Sequence, residues 1–302
     1  MTGRFALLVL IVIFVFSGQN DSGRDLRVRA ERGDAAAQYE LGNVYASGDG
    51  VPQNDAEAVS WYRRSAAQRF ALAQAGLGHM YFSGRGVPQN DVAAVRWYRQ
   101  SVEHGEPTGQ NNLGYMFAEG RGVPQNDAEA VRWYRRAAAQ GYVLAQANLG
   151  YMYRVGRGVP QNDAEAVRWY RLAAVQGHAV AQVNLGGLYQ AGLGVPQNDA
   201  RAVRWYRLAA DQGSAVAQLQ LGLRYRDGRG VVQDDETAHM WFNIAASRDT
   251  GDIRDDAVTN RDRVAERMTS RQITEAQRRA FEWYETHSRQ PPAVDSLPPN
   301  RQ

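Results

Sequence analysis

One aspartate recurs at constant spacing and is the most regular candidate for carboxylate chemistry. The interval is 36 residues, and the set is Asp55, Asp91, Asp127, Asp163, Asp199 and Asp235. Paired carboxylates could act as general acid and base or bind a metal ion. Each of these residues, however, stands at the predicted start of a helix, where a side-chain oxygen can cap free backbone N–H groups. The pattern therefore predicts helix caps rather than a catalytic pair.

The other residue types that carry catalysis or metal binding show no matching pattern. The absence of cysteine excludes disulfides, thiolate zinc sites, iron–sulfur clusters and cysteine nucleophiles. The five histidines form no His-Glu-x-x-His or other close ligand spacing. Neither a Gly-x-Ser-x-Gly elbow nor a Ser-x-x-Lys motif is present, and no Gly-Lys-Ser/Thr follows the paired glycines. We predict a non-enzymatic protein with no catalytic residue, no metal and no cofactor.

A 36-residue repeat in the sequence positions the recurring aspartates. Leu-Gly pairs begin at Leu41, Leu77, Leu113, Leu149, Leu185 and Leu221. Tryptophan recurs at Trp61, Trp97, Trp133, Trp169, Trp205 and Trp241. Six copies span residues 34–247 without an insertion or deletion, which predicts a repeat architecture.

Each copy predicts two helices joined by a glycine-rich turn. In the fourth copy Leu149 and Tyr153 share a face of the first helix. Glycine inside a helix costs about 1 kcal/mol relative to alanine, so Gly150 predicts close approach of a neighbouring helix. Asn162 or Asp163 can cap the second helix.

The second helix of each copy has an apolar face that includes the recurring tryptophan. In the fourth copy its predicted core residues are Ala166, Trp169, Tyr170, Ala173 and Ala174. We expect the substitution Trp133→Ala, which removes the same core residue from the third copy, to cost about 3–5 kcal/mol. Because one helix pair cannot bury both its faces, the copies must stack. The prediction is an all-α fold, an α-solenoid of six helix-turn-helix repeats.

The recurring frame is A-x-x-x-L-G-x-x-Y-x-x-G-x-G-V-P-x-x-D-x-x-x-A-x-x-W-Y-x-x-A-A-x-x-G. It resembles the Sel1-like repeat family, which is related to tetratricopeptide repeats, and the resemblance covers about residues 26–247. Departures are few: Arg69 replaces the glycine between copies, and Phe117 replaces the tyrosine. The resemblance implies a concave groove lined by the first helices and a role as an adaptor in signalling, envelope assembly, secretion or host contact.

The candidate partner-binding residues are first-helix positions that differ between copies. We call this set the first-helix strip, and it comprises Tyr39, Asn43, His79, Phe82, Asn111, Tyr115, Tyr151, Arg154, Gln190 and Arg226. Aromatic, amide and arginine groups together suit a protein or peptide surface. Neutral drift at exposed positions is the alternative. In the fifth copy the position directly after Leu-Gly holds Gly187.

The predicted second helices also carry two arginine ladders. They comprise Arg96, Arg132, Arg168 and Arg204, and Arg99, Arg135, Arg171 and Arg207. We expect a solvated face balanced by acidic residues, and a site for an acidic protein or a membrane surface is the alternative. The net charge of only +3 argues against nucleic-acid binding.

The two ends of the chain depart from the repeat. Residues 26–33 align with the end of a second helix and predict a half-repeat cap. Residues 248–287 predict C-terminal capping helices, the last capped by Thr269 or Ser270. The expected apolar side of that last helix is Ile273, Ala276, Ala280, Phe281 and Trp283. The proline-rich residues 288–302 predict a disordered tail.

Residues 1–17 predict an export signal. A short positive segment precedes an apolar run of twelve residues, Phe5–Phe16. A membrane-spanning helix needs about 20 apolar residues, whereas the apolar region of a secretory signal has roughly 7–15. An uncleaved N-terminal anchor is the alternative. We expect a periplasmic or secreted protein, or a membrane-anchored protein that faces outward.

The complete repeat frame without a catalytic set favours a non-enzymatic protein. The family resemblance, together with the predicted export signal, implies an exported scaffold or adaptor that binds a protein or peptide partner in the groove. We expect no nucleic-acid partner and no small-molecule cofactor, and membrane contact only through an uncleaved N-terminal segment. Two alternatives come from the family resemblance and from export. One is binding of peptidoglycan or another cell-wall polysaccharide, and the other is weak β-lactam hydrolysis.

Overall fold

The computed structural model describes residues 21–249 and 251–287. Residues 1–17, the predicted export signal, and residues 288–302, the predicted tail, lie outside the described residues. The described residues form fifteen helices and no strand, which confirms the predicted all-α class and its repeated helical pairs. Within this part of the chain, no helix combines the length and apolar character needed to cross a bilayer.

The helices alternate between the first and second positions of each copy, after one preceding helix, α1 (Asp21–Glu31). The first helices are α2 (Ala35–Ser47), α4 (Ala71–Ser83), α6 (Pro107–Glu119), α8 (Val143–Val155), α10 (Ala179–Ala191) and α12 (Ala215–Asp227). The second helices are α3 (Asp55–Ala67), α5 (Asp91–Glu103), α7 (Asp127–Ala139), α9 (Asp163–Val175), α11 (Asp199–Asp211) and α13 (Asp235–Arg248). Two further helices follow, α14 (Asp252–Ala265) and α15 (Ser270–His287).

The chain divides into two compact units, with the boundary between Ala145 and Gln146. In the first unit, α2 packs on α3, α4 on α5 and α6 on α7, and α3–α4 and α5–α6 contacts join successive copies. In the second unit, α10 packs on α11 and α12 on α13, and α9–α10 and α11–α12 contacts join the copies. Stacking of neighbouring helix pairs therefore builds the core of each unit.

In the first five copies the residue that caps the second helix is the asparagine before the recurring aspartate, and in the sixth copy it is Asp234. The side-chain oxygen of Asn162 accepts a hydrogen bond from the backbone N–H of Glu165 at 3.0 Å, and Asn54, Asn90, Asn126 and Asn198 do the same. The prediction that the aspartates are the caps is wrong, because each occupies the first helical position. An aspartate carboxylate at this position can contact a residue outside its own helix, as those of Asp55 and Asp91 do.

The predicted close approach at the mid-helix glycine is confirmed. A Cβ atom added to Gly150 would lie 2.8 Å from the ring of Tyr170, which belongs to the second helix of the same copy. Equivalent contacts occur in the other copies: Gly42–Tyr62, Gly78–Tyr98, Gly114–Tyr134, Gly186–Tyr206 and Gly222–Phe242. The ring occupies the space that any side chain would need, so the two helices pack at the distance that glycine permits.

The tyrosine, rather than the tryptophan, is the fully buried aromatic residue of each inner copy. Tyr134 is 2% exposed and Tyr170 is 2% exposed. The preceding Trp133 and Trp169 are half-buried, and the guanidinium of Arg136 lies 4.7 Å from the Trp133 ring. The tryptophans are fully buried only in the first and sixth copies, at Trp61 and Trp241. The prediction that every tryptophan is a core residue therefore holds in full only for these two copies, while the half-buried Trp97 packs against a core cluster with one face.

Buried glutamines on the first helices form hydrogen bonds with the second helix of the preceding copy and with the end of the second helix of their own copy. Gln182 donates to the carbonyl oxygen of Ala174 in the preceding copy at 3.0 Å, and its own oxygen accepts from Gln212 at 2.8 Å. In the second copy His104 stands where the first, third, fourth and fifth copies have the glutamine that follows the second helix. The buried Oε1 of Gln74 has no hydrogen-bond partner there among the described residues.

Helices outside the six copies close both ends of the described chain. Leu26 and Ala30 of α1 pack in one cluster with Leu41 and Trp61. At the other end Ala276 and Ala280 of α15 are buried, and the Trp283 ring lies 5.7 Å from that of Trp241. Thr269 accepts from the backbone N–H of Gln272 at 3.3 Å and so caps α15. One predicted apolar contact of α15 is wrong, because Phe281 is 64% exposed.

Candidate functional site

The first two members of the first-helix strip are engaged in packing within their own copy. The ring of Tyr39 lies 5.9 Å from Tyr62 and 5.6 Å from Phe70. The side-chain oxygen of Asn43 accepts a hydrogen bond from the Tyr62 hydroxyl at 2.7 Å. Both residues are half-buried, so each presents a limited surface to a partner.

An aromatic cluster lies between the second and third copies in the first unit. The ring of His79 stacks on Phe82 at 6.2 Å, and Phe82 meets Tyr115 edge-on at 5.7 Å. The guanidinium of Arg121 lies 3.9 Å from the centre of the Phe82 ring. The structure therefore brings three members of the first-helix strip together and adds a cation to them.

Two members of the first-helix strip are not available to a partner. Asn111 is 1% exposed, and its amide donates to Asn112 at 3.2 Å. Phe82 is 6% exposed because Arg121 and Tyr115 cover it. The prediction that these two residues contact a partner disagrees with their burial, which leaves His79 and Tyr115 as the accessible members of the aromatic cluster.

Burial lowers the pKa of His79 below its usual value, and the nearby Arg85 lowers it further. Its Nδ1 has no hydrogen-bond partner among the described residues. The neutral ring is therefore favoured in the folded chain, while the unfolded chain takes up the proton below about pH 6.5.

We expect acidification from pH 7 to pH 5 to lower the free energy of unfolding, with part of the loss due to His79. The native state resists protonation of this ring, so stability is lost as the pH falls below the unfolded pKa and towards the lower native pKa. Urea unfolding at the two pH values measures the loss, and His79→Gln should reduce it. An equal loss in the variant would contradict this assignment.

The remaining members of the first-helix strip lie in the second unit. Tyr151 is half-buried. The Nη1 atom of Arg154 lies 3.5 Å from an Asp163 oxygen, and the Gln190 oxygen accepts from the Tyr206 hydroxyl at 2.8 Å. Arg226 pairs with Asp227 at 2.7 Å and also donates to Asn260 of α14. The contact with α14 therefore leaves less of the Arg226 side chain free to bind a partner.

A pocket of about 270 Å³ opens among the first helices of the fourth, fifth and sixth copies. We call it the Gly187 pocket, and its walls are Arg154, Tyr170, Val183, Asn184, Gly187, Leu188, Ala191, Leu193, Tyr206, Val216 and Gln220. Burial raises the pKa of Tyr206 to about 12, so its hydroxyl is protonated and donates to Gln190. The walls combine apolar surface with a few polar groups, as binding pockets commonly do.

One wall of this pocket differs from other copies because the loop arginine that binds a recurring aspartate is missing there. In the first unit an arginine from the loop of the next copy binds the aspartate: Arg85 Nε lies 3.0 Å from Asp55, and Arg121 Nη2 lies 2.8 Å from Asp91. The hydrogen bond from Arg85 lowers the pKa of Asp55. In the fifth copy Leu193 replaces this arginine, and Arg154 is the cation near Asp163.

The arginine ladders are exposed, as the sequence predicts, but members of the second ladder bind their own chain. Arg171 donates to the hydroxyl of Tyr189 in the next copy at 2.7 Å, and Arg207 donates likewise to Tyr225. In the third copy Phe117 offers Arg99 no such hydroxyl. In the first ladder Arg132 and Arg168 pair with Glu129 and Glu165. The ladders therefore act at least partly as structural contacts.

Sequence reasoning missed most of the walls of the Gly187 pocket. Val183, Asn184, Val216 and Gln220 line the pocket, and none of them belongs to the first-helix strip. The one signal was Gly187 itself, a glycine at a position where neighbouring copies have large side chains. Among the described residues no group of three or more His, Cys, Asp or Glu side chains could hold a metal ion.

The geometry of the copies agrees with a comparison of the sequence against protein-family models. The model described as Sel1 repeat matches residues 35–70, 71–106, 107–142, 143–178, 179–214, 215–249 and 271–286. The chain belongs to the Sel1 repeat family. Six matches coincide with the six predicted copies, and the seventh falls within α15. The Sel1 repeat fold generally mediates protein–protein interaction. No curated protein was found to match.

One solved structure supports the same family, and two others are similar to this chain at lower TM-scores. A Sel1 repeat protein from Oxalobacter formigenes is 35% identical over 72% of this chain and 86% of that chain, with a TM-score of 0.63. A protective antigen from uropathogenic Escherichia coli, which displays an SLR fold, is 25% identical over 90% of each chain, with a TM-score of 0.31. An immunity protein from Pseudomonas aeruginosa is 21% identical over 76% of this chain and 81% of that chain, with a TM-score of 0.47.

Proposed function

We propose that this Sel1 repeat protein is an exported, non-enzymatic scaffold that binds a protein or peptide partner through its first helices, at the Gly187 pocket and at the accessible members of the first-helix strip. The observation that carries the proposal is the Gly187 pocket, which lies among first helices and combines apolar walls with a few polar groups. The aromatic cluster around Tyr115 supports it in the first unit. The sequence pattern of residues 1–17 supports export, which cell fractionation tests.

The proposal predicts that Tyr115→Ala and Tyr151→Ala together weaken capture of the partner about tenfold or more, because interface aromatic side chains carry much of the binding energy. Both side chains are half-buried, so the melting temperature should change much less than for a core substitution. The measurement is quantitative mass spectrometry of proteins captured from the native cells by the tagged full chain.

The matched control is the double variant Arg132→Ala and Arg168→Ala, which changes exposed side chains on second helices. We expect it to capture the same partner as the parent chain. Loss of the partner only in the arginine variant would transfer the binding site to the ladders and overturn the proposal. Binding to purified cell wall, with no protein partner captured, would favour the polysaccharide alternative.

A further inference from the structure

The fifth copy has a void where its neighbours have a side chain. Gly187 follows Leu-Gly, and the same position holds Tyr151 in the fourth copy and Leu223 in the sixth. The fold does not require glycine here, because an added Cβ would lie 3.8 Å from the Tyr206 hydroxyl and meet nothing closer. By contrast, a Cβ on the adjacent Gly186 would lie 2.7 Å from the Tyr206 ring. The absence of a side chain at Gly187 therefore leaves space that packing does not use.

The size and walls of the Gly187 pocket suit one large side chain. Its volume of about 270 Å³ is far more than one water molecule needs. The rings of Tyr170 and Tyr206 offer aromatic contacts, and Val183, Leu188 and Val216 offer aliphatic ones. The amides of Asn184 and Gln220 can bond a hydroxyl group.

The charge of the pocket walls determines which partner residues can lie next to the inserted side chain. Arg154 is the one residue of the lining with a full charge at neutral pH, and no carboxylate is among the lining residues. Leu193 replaces the loop arginine of other copies, so the wall is apolar at that point. Arg154 lies 3.5 Å from Asp163, but its side chain is 39% exposed, so it can still pair with an acidic group beside the inserted side chain, whereas a basic group would be repelled.

We propose that the Gly187 pocket binds a tyrosine or phenylalanine side chain of a protein partner, with an adjacent acidic residue next to Arg154. The inserted ring would take the space that Tyr151 occupies at the equivalent position of its own copy. This inference rests on the proposed function and identifies the chemistry of one of its contacts. The void, the aromatic walls and the single cation each contribute to that choice of occupant.

Selection from a displayed library of random twelve-residue peptides on the full chain tests this proposal. The selected peptides should share a tyrosine or phenylalanine next to aspartate or glutamate. Fluorescence anisotropy then gives their Kd for the parent chain, Gly187→Ala and Gly187→Leu. We expect a small loss for alanine, which leaves most of the pocket open, and a loss of about tenfold or more for leucine, which fills it.

A second variant keeps the test independent of any folding defect in Gly187→Leu. Arg154→Gln should weaken the same peptides and should remove the preference for the acidic neighbour. Selected peptides that bind Gly187→Leu as tightly as the parent, or that lack the aromatic residue, would overturn the pocket proposal and leave the scaffold function standing. Failure to select any peptide would also overturn it. The scaffold function itself would fail only if no protein partner were captured from the native cells.

Discussion

Replacing Tyr134 with alanine is expected to lower the free energy of unfolding by about 3–5 kcal/mol, the usual cost of removing a large buried aromatic side chain. Tyr134 is 2% exposed, and its ring fills the space above Gly114. Trp133→Ala should cost roughly half as much, because Trp133 is half-buried and partly covered by Arg136. The earlier expectation of the full cost at Trp133 is therefore revised downward. Equilibrium denaturation of the two variants measures the difference.

The informative result is which of the two variants loses more free energy of unfolding, because both substitutions truncate an aromatic residue in α7. A larger loss for Trp133→Ala than for Tyr134→Ala would contradict the assignment of the tyrosine as the principal core residue. In either variant we expect the destabilisation to be greatest in the neighbouring copies, since each copy is stabilised by contacts with its neighbours. Hydrogen exchange followed by proteolysis resolves that distribution along the chain.

Replacing Gly186 and Gly187 separately with alanine is expected to change stability in opposite directions. Gly186→Ala forces a Cβ to within 2.7 Å of the Tyr206 ring, and such overpacking typically costs about 1–3 kcal/mol. Gly187→Ala meets only the Tyr206 hydroxyl at 3.8 Å. It should stabilise the chain by up to about 1 kcal/mol, because alanine is favoured over glycine within a helix. Urea denaturation measures both changes.

Adjacent positions in one helix provide the control for this pair, since any general effect of alanine on α10 is shared. Gly186→Ala combined with Tyr206→Leu should cost less than the sum of the two single changes, because the smaller side chain relieves the clash. Equal stability of the two single alanine variants would show that the close contact between Gly186 and Tyr206 does not limit the packing of α10 on α11.

Periodicity in the sequence was sufficient to predict the repeated helical pairs and the close contact at the mid-helix glycine. It could not decide which of two adjacent aromatic residues is buried. Trp169 and Tyr170 lie about 100° apart around a helix, and both fall within a broad apolar face. The outcome depends on the neighbouring helix, where Gly150 leaves space for the Tyr170 ring. The contact between Gly150 and Tyr170 joins two different helices. The spacing of apolar residues within one helix does not show which aromatic ring makes that contact.

The candidate site was less predictable than the fold, because exposure depends on contacts between copies. Variation between copies identified both Tyr115 and Asn111, yet only Tyr115 is accessible. The pairing of Asp55 with Arg85 joins two copies and is not apparent from a single 36-residue unit. The Gly187 pocket likewise needs walls from three copies. A glycine at a variable position signals missing volume, but the sequence does not show whether another side chain fills it.

Site-specific photocrosslinking in the native cells tests most directly whether this chain binds its partner through its first helices. A photoreactive phenylalanine analogue would replace Tyr115 or Tyr151 on the first-helix strip and, in separate chains, Arg132 or Arg168 on a second helix. We expect crosslinks to the same protein from the two tyrosine positions and none from the two arginine positions. Crosslinks to a protein only from the arginine positions would contradict binding through the first helices.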